Sequence, residues 1–336
     1  MTRRNRLTPS VADVRRAVRE SFERHGVASG DVVLVACSGG PDSVALAAGL
    51  AFEGSKLGLK LGAVIVDHGI QEVTAKVSVE TKELLEDLGF SPVEIVQVSV
   101  GDDGGMEAAA RSARYEAIDE VAAALDARYV LLGHTRDDQA ETVLLGLARG
   151  AGARSLSGMA ELTGRYLRPL LSITRETTVQ ACADAELPIW HDPHNTEDRF
   201  ARVRVRETVL PVLEENLGPG IAEALARTAD QLREDSDLLD LQAESSYQDV
   251  VKPAPTSLIV SASALAELPA AIRYRVIRLA GTTLGGHFHR THVLEIDRLV
   301  TNWHGQKPLA VPSVRVERTG ENIVFKSTKT LKPGAC

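Results

Sequence analysis

The chain has 336 residues, 44% of them apolar and 25% charged, with a formal net charge of −8. That is the balance of a globular protein long enough for two domains, and not of a fibrous or disordered one. With no apolar run of about eighteen residues, a basic start (Thr2-Arg3-Arg4-Asn5-Arg6) that lacks the apolar stretch of a secretion signal, and Cys37, Cys182 and Cys336 forming neither a CxxC pair nor a disulfide framework, a membrane span is not expected and a reducing, cytoplasmic setting is.

Val11, Val14, Val18 and Phe22 recur at helical spacing and predict a helix over 10–25. Val32-Val33-Leu34-Val35-Ala36 reads as a buried strand, followed at once by the loop Cys37-Ser38-Gly39-Gly40-Pro41-Asp42-Ser43 and a helix from Val44. A second buried strand over 61–69 closes on Asp67-His68-Gly69, and a helix over 73–88 leads to a third strand over 93–100. Another helix over 106–125 precedes a fourth strand over 128–134, which leads through His134-Thr135-Arg136-Asp137-Asp138 into a helix over 138–148. Strands alternating with helices predict a doubly wound, mainly parallel α/β sheet. The polar motifs all fall at the carboxyl ends of its strands, where such sheets bind ligands.

Beyond this the chain changes character. Residues 149–212 are Arg-rich and broken by Gly and Pro, with helices near 174–185 and 199–216. A polar, acidic helix over 220–247 reads as a connection, and Pro253-Ala254-Pro255 punctuates its end. A small α+β unit follows: a strand at 258–260, helices near 263–284 and 290–302, and a strand pair across Arg318–Asn322. Charge is segregated despite the negative sum. Acid gathers at Glu80, Glu83, Glu86, Asp87 and Glu94 and again at Asp230, Glu234, Asp235, Asp237 and Asp240, and base at Arg199, Arg202, Arg204 and Arg206 and at Arg273, Arg275, Arg278 and Arg290. Such segregation permits local phosphate binding on an acidic protein, although solvated faces look the same.

The loop Ser38–Ser43 carries the clearest chemistry. Two glycines let backbone N–H groups approach an anion, and the following helix adds unpaired amides and the positive end of its dipole. Ser38 and Ser43 can donate to phosphate oxygens. Asp42 cannot, unless Mg2+ bridges the carboxylate to the phosphate. No Lys is present, so this is not a Walker loop. A nucleotide phosphate cradle with a metal-bridging acid is the expectation.

These residues make the sequence similar to the tRNA(Ile)-lysidine synthases, a family within the PP-loop ATP-pyrophosphatases. Ser38-Gly39-Gly40-Pro41-Asp42-Ser43 resembles the superfamily signature. The narrower resemblance rests on Val66-Asp67-His68-Gly69, Ala110-Arg111-Ser112-Ala113-Arg114-Tyr115, Gly133 to Thr142, Arg149-Gly150, Gly158-Met159, Arg168-Pro169-Leu170-Leu171, and Asp192-Pro193-His194-Asn195 with Phe200, Arg202 and Arg206. It implies ATP and Mg2+, free L-lysine and the minor isoleucine tRNA with a CAU anticodon as partners, and a homodimer. The implied reaction has the wobble cytidine C2 oxygen attack the α-phosphate of ATP, after which the lysine ε-amine displaces AMP to give lysidine. The implied division is an ATP-binding catalytic domain over 1–215, a connecting helix over 216–250, a small tRNA-binding domain over 251–328 and a tail over 329–336.

Roles follow from that resemblance and from spacing. Ser38, Gly39, Gly40, Pro41 and Ser43 are assigned to the phosphates and Asp42 to Mg2+. Asp67 and His68 close the second strand where adenine and ribose are expected, or merely cap it. Arg111 and Arg114 share a helix face and with Tyr115 meet phosphate, the lysine carboxylate or the cytidine, or else pair with Glu107 and Glu116. By spacing Asp137 is a helix cap. Asp138, with Glu141 nearby, is expected to grip the ε-ammonium, whose reference pKa is about 10.4, while His134 orients it or relays its proton. Arg202 and Arg206 are expected at the site. Arg149 and Arg168 either meet tRNA phosphates or buttress the loop after His134. The clustered His287, His289, His292 and His304 have no Cys or acid ligands at zinc spacing. A thiolase or an amidating synthetase is the rival reading, disfavoured by the lack of paired cysteines and of a glutaminase domain.

Overall fold

The computed structural model describes residues 7–67, 72–98, 106–190, 192 and 200–328. His68, Pro193 to Arg199 and the tail over 329–336 lie outside the described residues. In chain order the elements are α1 (Pro9–His25), β1 (Val32–Ala36), α2 (Pro41–Leu57), β2 (Lys60–Asp67), α3 (Glu72–Asp87), β3 (Val93–Gln97), α4 (Met106–Ala124), β4 (Tyr129–Leu132), α5 (Arg136–Ala148), α6 (Ala153–Leu156), β5 (Leu162–Thr163), β6 (Tyr166–Leu167) and α7 (Arg175–Asp184). Then come α8 (Ala201–Arg204), a π-helical turn (Val205–Val209), α9 (Leu210–Leu217), α10 (Ile221–Val250), β7 (Val251–Ala254), β8 (Ser257–Ser261), α11 (Ala262–Glu267), α12 (Ala270–Thr283), α13 (Arg290–Thr301), β9 (Leu309–Val311), β10 (Val314–Thr319) and β11 (Asn322–Ser327). No described helix is long and apolar enough to cross a membrane.

The chain divides into two compact units, residues 1–232 and 233–336, and the division falls within α10. In the first unit the sheet order is β3-β2-β1-β4-β6-β5. All neighbours are parallel except the short edge pair β5/β6. This is the doubly wound α/β sheet that the strand–helix alternation predicts. Alternate residues of β1 feed two layers. Val33 and Val35 join Phe22 of α1, Leu46 and Leu50 of α2 and Cys182 of α7 on one face, while Leu34 joins Val130, Ile118 and Ala122 under α4 on the other. Strands buried on both sides need near-continuous apolar runs, which Val32–Ala36 of β1 and Leu61–Val66 of β2 supply. Because β1 lies between β2 and β4, the order reverses there, and a crevice opens past the ends of β1 and β4.

The second unit is an antiparallel sheet of order β7-β8-β11-β10-β9 carrying α11, α12 and α13. Its core includes Val260, Val276, Ile277, Ile296, Val316 and Phe325, with Ala243 from α10. β7 and β9 were not expected from sequence, being short edge strands with little periodicity to read. The single helix expected over 263–284 is two, because Pro269 lacks the N–H an unbroken helix needs. Likewise the helix expected over 199–216 contains the π turn, a feature apolar spacing does not reveal.

Candidate active site

The loop leaving β1 is shaped by backbone geometry and one hydroxyl. Gly39 has φ +80°, and a Cβ there would stand 2.7 Å from the Thr81 hydroxyl of α3, so only glycine fits. The carbonyl of Gly39 accepts from the Trp190 N–H at 2.9 Å. Ser43 Oγ donates to the Gly40 carbonyl at 2.9 Å and accepts from the Ser38 N–H at 3.2 Å, cross-bracing the turn. Helix α2 then starts on Gly40 with Pro41 in its first turn and no side-chain cap, and its first helical bond runs from Val44 N–H to Gly40 O. The amides of Asp42 and Ser43 therefore precede the helical ladder, which is the geometry that binds anions.

One strand over, the chain leaving β4 is pressed against this turn. A Cβ on Gly133 would lie 3.0 Å from the Asp42 backbone. Helix α5 then begins with a cap that differs from the sequence expectation. Thr135 is the N-cap, and Asp138, not Asp137, completes the capping box: Asp138 Oδ2 accepts from the Thr135 N–H at 2.8 Å and from the Thr135 hydroxyl at 2.9 Å. Asp137 instead reaches out of its helix, and its Oδ2 accepts from the Arg175 N–H at the start of α7 at 2.9 Å.

Acids and guanidiniums alternate in the crevice. Arg175 Nε reaches Asp42 Oδ2 at 3.2 Å, its Nη2 reaches Asp138 Oδ1 at 3.2 Å and its Nη1 lies 3.6 Å from Glu141 Oε1. Arg206, from the π turn, donates through Nε to Glu141 Oε1 at 2.7 Å. Thr178 supplies a very short hydrogen bond to the other oxygen of Asp42. Burial pushes the carboxyls of Asp42 and Glu141 up despite these cations. Asp138 is buried as well, but Arg175 and the Thr135 donors outweigh that and hold it below the usual range. Burial alone would lower Arg175; Asp138, Asp42 and Glu141 reverse this and raise it. Glu141 is fully buried, and its Oε2 has no partner.

His134 completes the wall. Burial pushes its imidazole down to about 4, with Arg168, Arg202 and Arg111 adding to the fall against Asp138. It is neutral at pH 7, and its Nδ1 is buried without a partner. Arg202 Nη2 lies 3.3 Å from the Thr142 hydroxyl of α5.

Residues 11–213 match the family pattern described as a PP-loop domain, and residues 261–321 match one described as the TilS substrate binding domain. Over 322 residues the chain is 52% identical to a tRNA(Ile)-lysidine synthase from Thermobifida fusca, covering 95% of this chain and 98% of that one. The chain belongs to the tRNA(Ile)-lysidine synthase family. A second such synthase, from Leifsonia xyli subsp. xyli, is 49% identical over 303 residues, 90% of this chain and 91% of its own. Among solved structures, the U34-tRNA thiolase NcsA from Methanococcus maripaludis superimposes with a TM-score of 0.57 at 20% identity, over 67% of this chain and 79% of that one. At that identity the likeness is one of fold alone. Family membership carries ATP use with it.

Within this lysidine synthase fold, the residues singled out by sequence fall into three groups. Ser38, Gly39, Gly40, Pro41, Asp42, Ser43, His134, Asp138, Glu141 and Arg206 converge on the crevice, as described. Asp67 ends β2 with a buried side chain, and its carbonyl accepts from Val98 N–H at 2.9 Å. Arg111, Arg114 and Tyr115 share α4: the Arg111 guanidinium lies 5.0 Å from the centre of the Tyr115 ring, which packs edge-on to Tyr166 at 4.9 Å. The third group is structural. Arg168 is buried and its Nη1 donates to the Ala160 carbonyl at 2.9 Å and to Thr163 at 3.3 Å, which ties it to the β5/β6 hairpin, while its Nε has no partner. Arg149 ends α5 with an exposed side chain. Gln139 brackets the Met159 backbone, accepting from its N–H at 2.6 Å and donating to its carbonyl at 2.8 Å, which ties the Gly158-Met159 block to α5.

Sequence reasoning missed Arg175, Thr178 and Trp190. The local signal for Arg175 is weak: a cation in the first turn of a helix opposes the dipole, but only by a fraction of a kcal/mol to about 1 kcal/mol, and other helices here, such as α13 at Arg290, start the same way.

Proposed function

We propose that this chain joins free L-lysine to C2 of the wobble cytidine of the CAU-anticodon isoleucine tRNA. The observation that carries the reading is the buried, unpartnered Glu141 Oε2, which stands across the Asp138–Arg175–Asp42 network from an open phosphate turn. A carboxylate oxygen with no partner in a buried site has a cation as its natural ligand, and a lysine ε-ammonium supplies one. Both oxygens of Asp138 are already engaged, so Glu141 is the stronger candidate for the amine and Asp138 for support.

The residues fit a nucleotide. The uncapped turn Ser38–Ser43 offers amides and hydroxyls to phosphates, and Asp42 has the chemistry to hold the magnesium of bound ATP once Arg175 yields it. Bound ATP supplies the α-phosphate that activates the cytidine C2 oxygen, with pyrophosphate leaving. This chain's part is to hold charge and exclude water around that transfer. The ε-amine must then lose a proton before displacing AMP. His134 is a poor acceptor, since an imidazole held near 4 lies about six units below an ammonium of reference pKa about 10.4. Of the two roles weighed for His134, orientation is therefore favoured over relay. Glu141, whose carboxyl burial pushes up, is the better acceptor. Sulfur chemistry finds no support in the described cysteines. Burial pushes the Cys37 thiol up and the Cys182 thiol to about 12, so neither is the thiolate such transfer requires.

The cytoplasm, where the tRNA is made and thiols stay reduced, is the setting this reading requires, and a homodimer comes with the family resemblance. The direct test supplies the protein with ATP, magnesium, labelled L-lysine and total tRNA. Label is expected in one nucleoside of the minor isoleucine tRNA, with pyrophosphate and AMP released. Glu141→Gln should keep pyrophosphate release measurable while lysine transfer falls about a hundredfold or more, in line with losing a charge-assisted contact of a few kcal/mol. Label in no tRNA, or pyrophosphate release indifferent to tRNA, overturns the reading.

A further inference from the structure

Arg175 stands where three acids meet, and no other described side chain touches both the phosphate turn and the amine pocket in this way. One edge of its guanidinium pairs with Asp42 at 3.2 Å; the other faces Asp138 at 3.2 Å and Glu141 at 3.6 Å. Its position is fixed from behind, because Asp137 anchors its N–H and Thr174 caps α7 by accepting from the Thr177 N–H at 3.1 Å. The head, in contrast, is held only by ion pairs. Its three partners also differ in what else satisfies them. Asp138 keeps two Thr135 donors and Glu141 keeps Arg206 at 2.7 Å, whereas Asp42 has Thr178.

Two incoming ligands would both disturb this arrangement. A triphosphate at the turn brings anionic oxygens that attract a guanidinium, and it brings a counter-cation that competes for Asp42. A lysine ε-ammonium seeks the same carboxylates, Asp138 and Glu141, that Arg175 neutralises. With Arg175 in place, an ammonium entering the pocket meets a cation beside its acceptor. With Arg175 drawn toward the phosphates, the pair Asp138 and Glu141 is left with Arg206 alone and lacks one positive charge.

We propose that Arg175 is a displaceable counter-ion that couples the two sites: it fills the amine pocket while the phosphate turn is empty and vacates it when nucleotide binds. It is a positioning residue, acting on lysine through Asp138 and Glu141. The proposal rests on the reading of Glu141 and Asp138 as the amine pocket given above. The consequence is order. Lysine binds well only after nucleotide, so the nucleophile is not held ready before there is an activated base to attack.

The test is calorimetric binding of L-lysine to the full chain, with and without a non-hydrolysable ATP analogue and magnesium. In the wild-type protein the analogue should tighten lysine binding by about tenfold, and lysine should tighten analogue binding by the same factor, since such coupling is reciprocal. In Arg175→Gln, lysine alone should bind and raise the melting temperature, because the ammonium replaces the missing guanidinium, and the coupling factor should fall to within about twofold of unity. Arg175→Lys keeps a charge but not the planar fork that spans three acids. It should show coupling below wild type, and it serves the same purpose should the Gln variant not fold. Wild-type protein that binds both ligands without mutual effect, or a variant that keeps the full coupling, overturns the role of Arg175 and leaves the function standing. Wild-type protein that binds neither ligand overturns the function itself.

Discussion

At the scale of single residues, the crevice works by keeping one imidazole neutral among cations. His134 sits against Arg168, Arg202 and Arg111, and its burial sets its pKa near 4. An unfolded-chain histidine titrates near 6.5, so the unfolded state takes up a proton that the folded state refuses as pH falls. The stability attributable to His134 is whole above about 6.5 and is lost between there and about 4, by as much as about 3 kcal/mol. Replacing His134 by Asn, which keeps a polar group but cannot titrate, should flatten that limb of the stability curve. Denaturant unfolding of both proteins between pH 7 and pH 4 checks this; parallel curves would show that the imidazole charges freely. Activity should fall only as pH approaches about 4, where the folded imidazole takes up its proton and would repel the ε-ammonium it is meant to orient.

At the scale of elements, the site depends on how closely the end of β4 approaches the start of α2. Gly133 permits that approach, and the atoms a methyl would meet are backbone, at 3.0 Å. Backbone cannot turn aside as a flexible side chain does, so Gly133→Ala should push the phosphate turn outward by a few tenths of an ångström. The expected cost is about 1–3 kcal/mol of stability, with a larger proportional loss in nucleotide affinity than in melting temperature. Calorimetric titration with the ATP analogue beside thermal unfolding separates the two. The same elements explain what could be read in advance. β1, its loop and α2 were legible because a buried strand, a glycine turn and a helix start each leave a local mark, and the parallel pairing of the sheet follows from alternation, whereas its strand order does not. The meeting of α7 with the crevice was not legible. Arg175 is more than a hundred residues from Asp42 in sequence, and nothing local to either names the other. Sequence motifs also mixed two kinds of residue. Thr135, Asp138 and Gln139 stand in one block, where they serve capping and bracing.

At the scale of the whole molecule, charge segregation on an acidic chain has to be sorted into cations that hold the fold and cations left for a partner. In the second unit Arg273 pairs with Asp297 at 2.5 Å and donates to the Leu268 carbonyl at 2.8 Å, and Arg275 pairs with Asp240 at 2.6 Å. Those two tie α12 to α13 and to α10, so they serve packing within the unit. Arg278 and Arg290 are exposed. Burial lowers the Arg278 pKa first; Arg275 and Arg290 nearby lower it further, against Asp240, which raises it. Because residues 261–321 match a substrate-binding domain, a tRNA backbone is the expected anion. Replacing Arg278 and Arg290 together by Ala should weaken tRNA binding and shallow its dependence on salt by about 1.5 in the slope of log K against log salt, close to two lost phosphate contacts. ATP affinity should not change. Arg273→Ala should behave differently, destabilising the second unit by about 3–5 kcal/mol because it strands a buried Asp297. Filter binding across a salt series, run beside thermal unfolding, tells the two outcomes apart. An unaltered salt slope in the double variant would mean that tRNA grips another face.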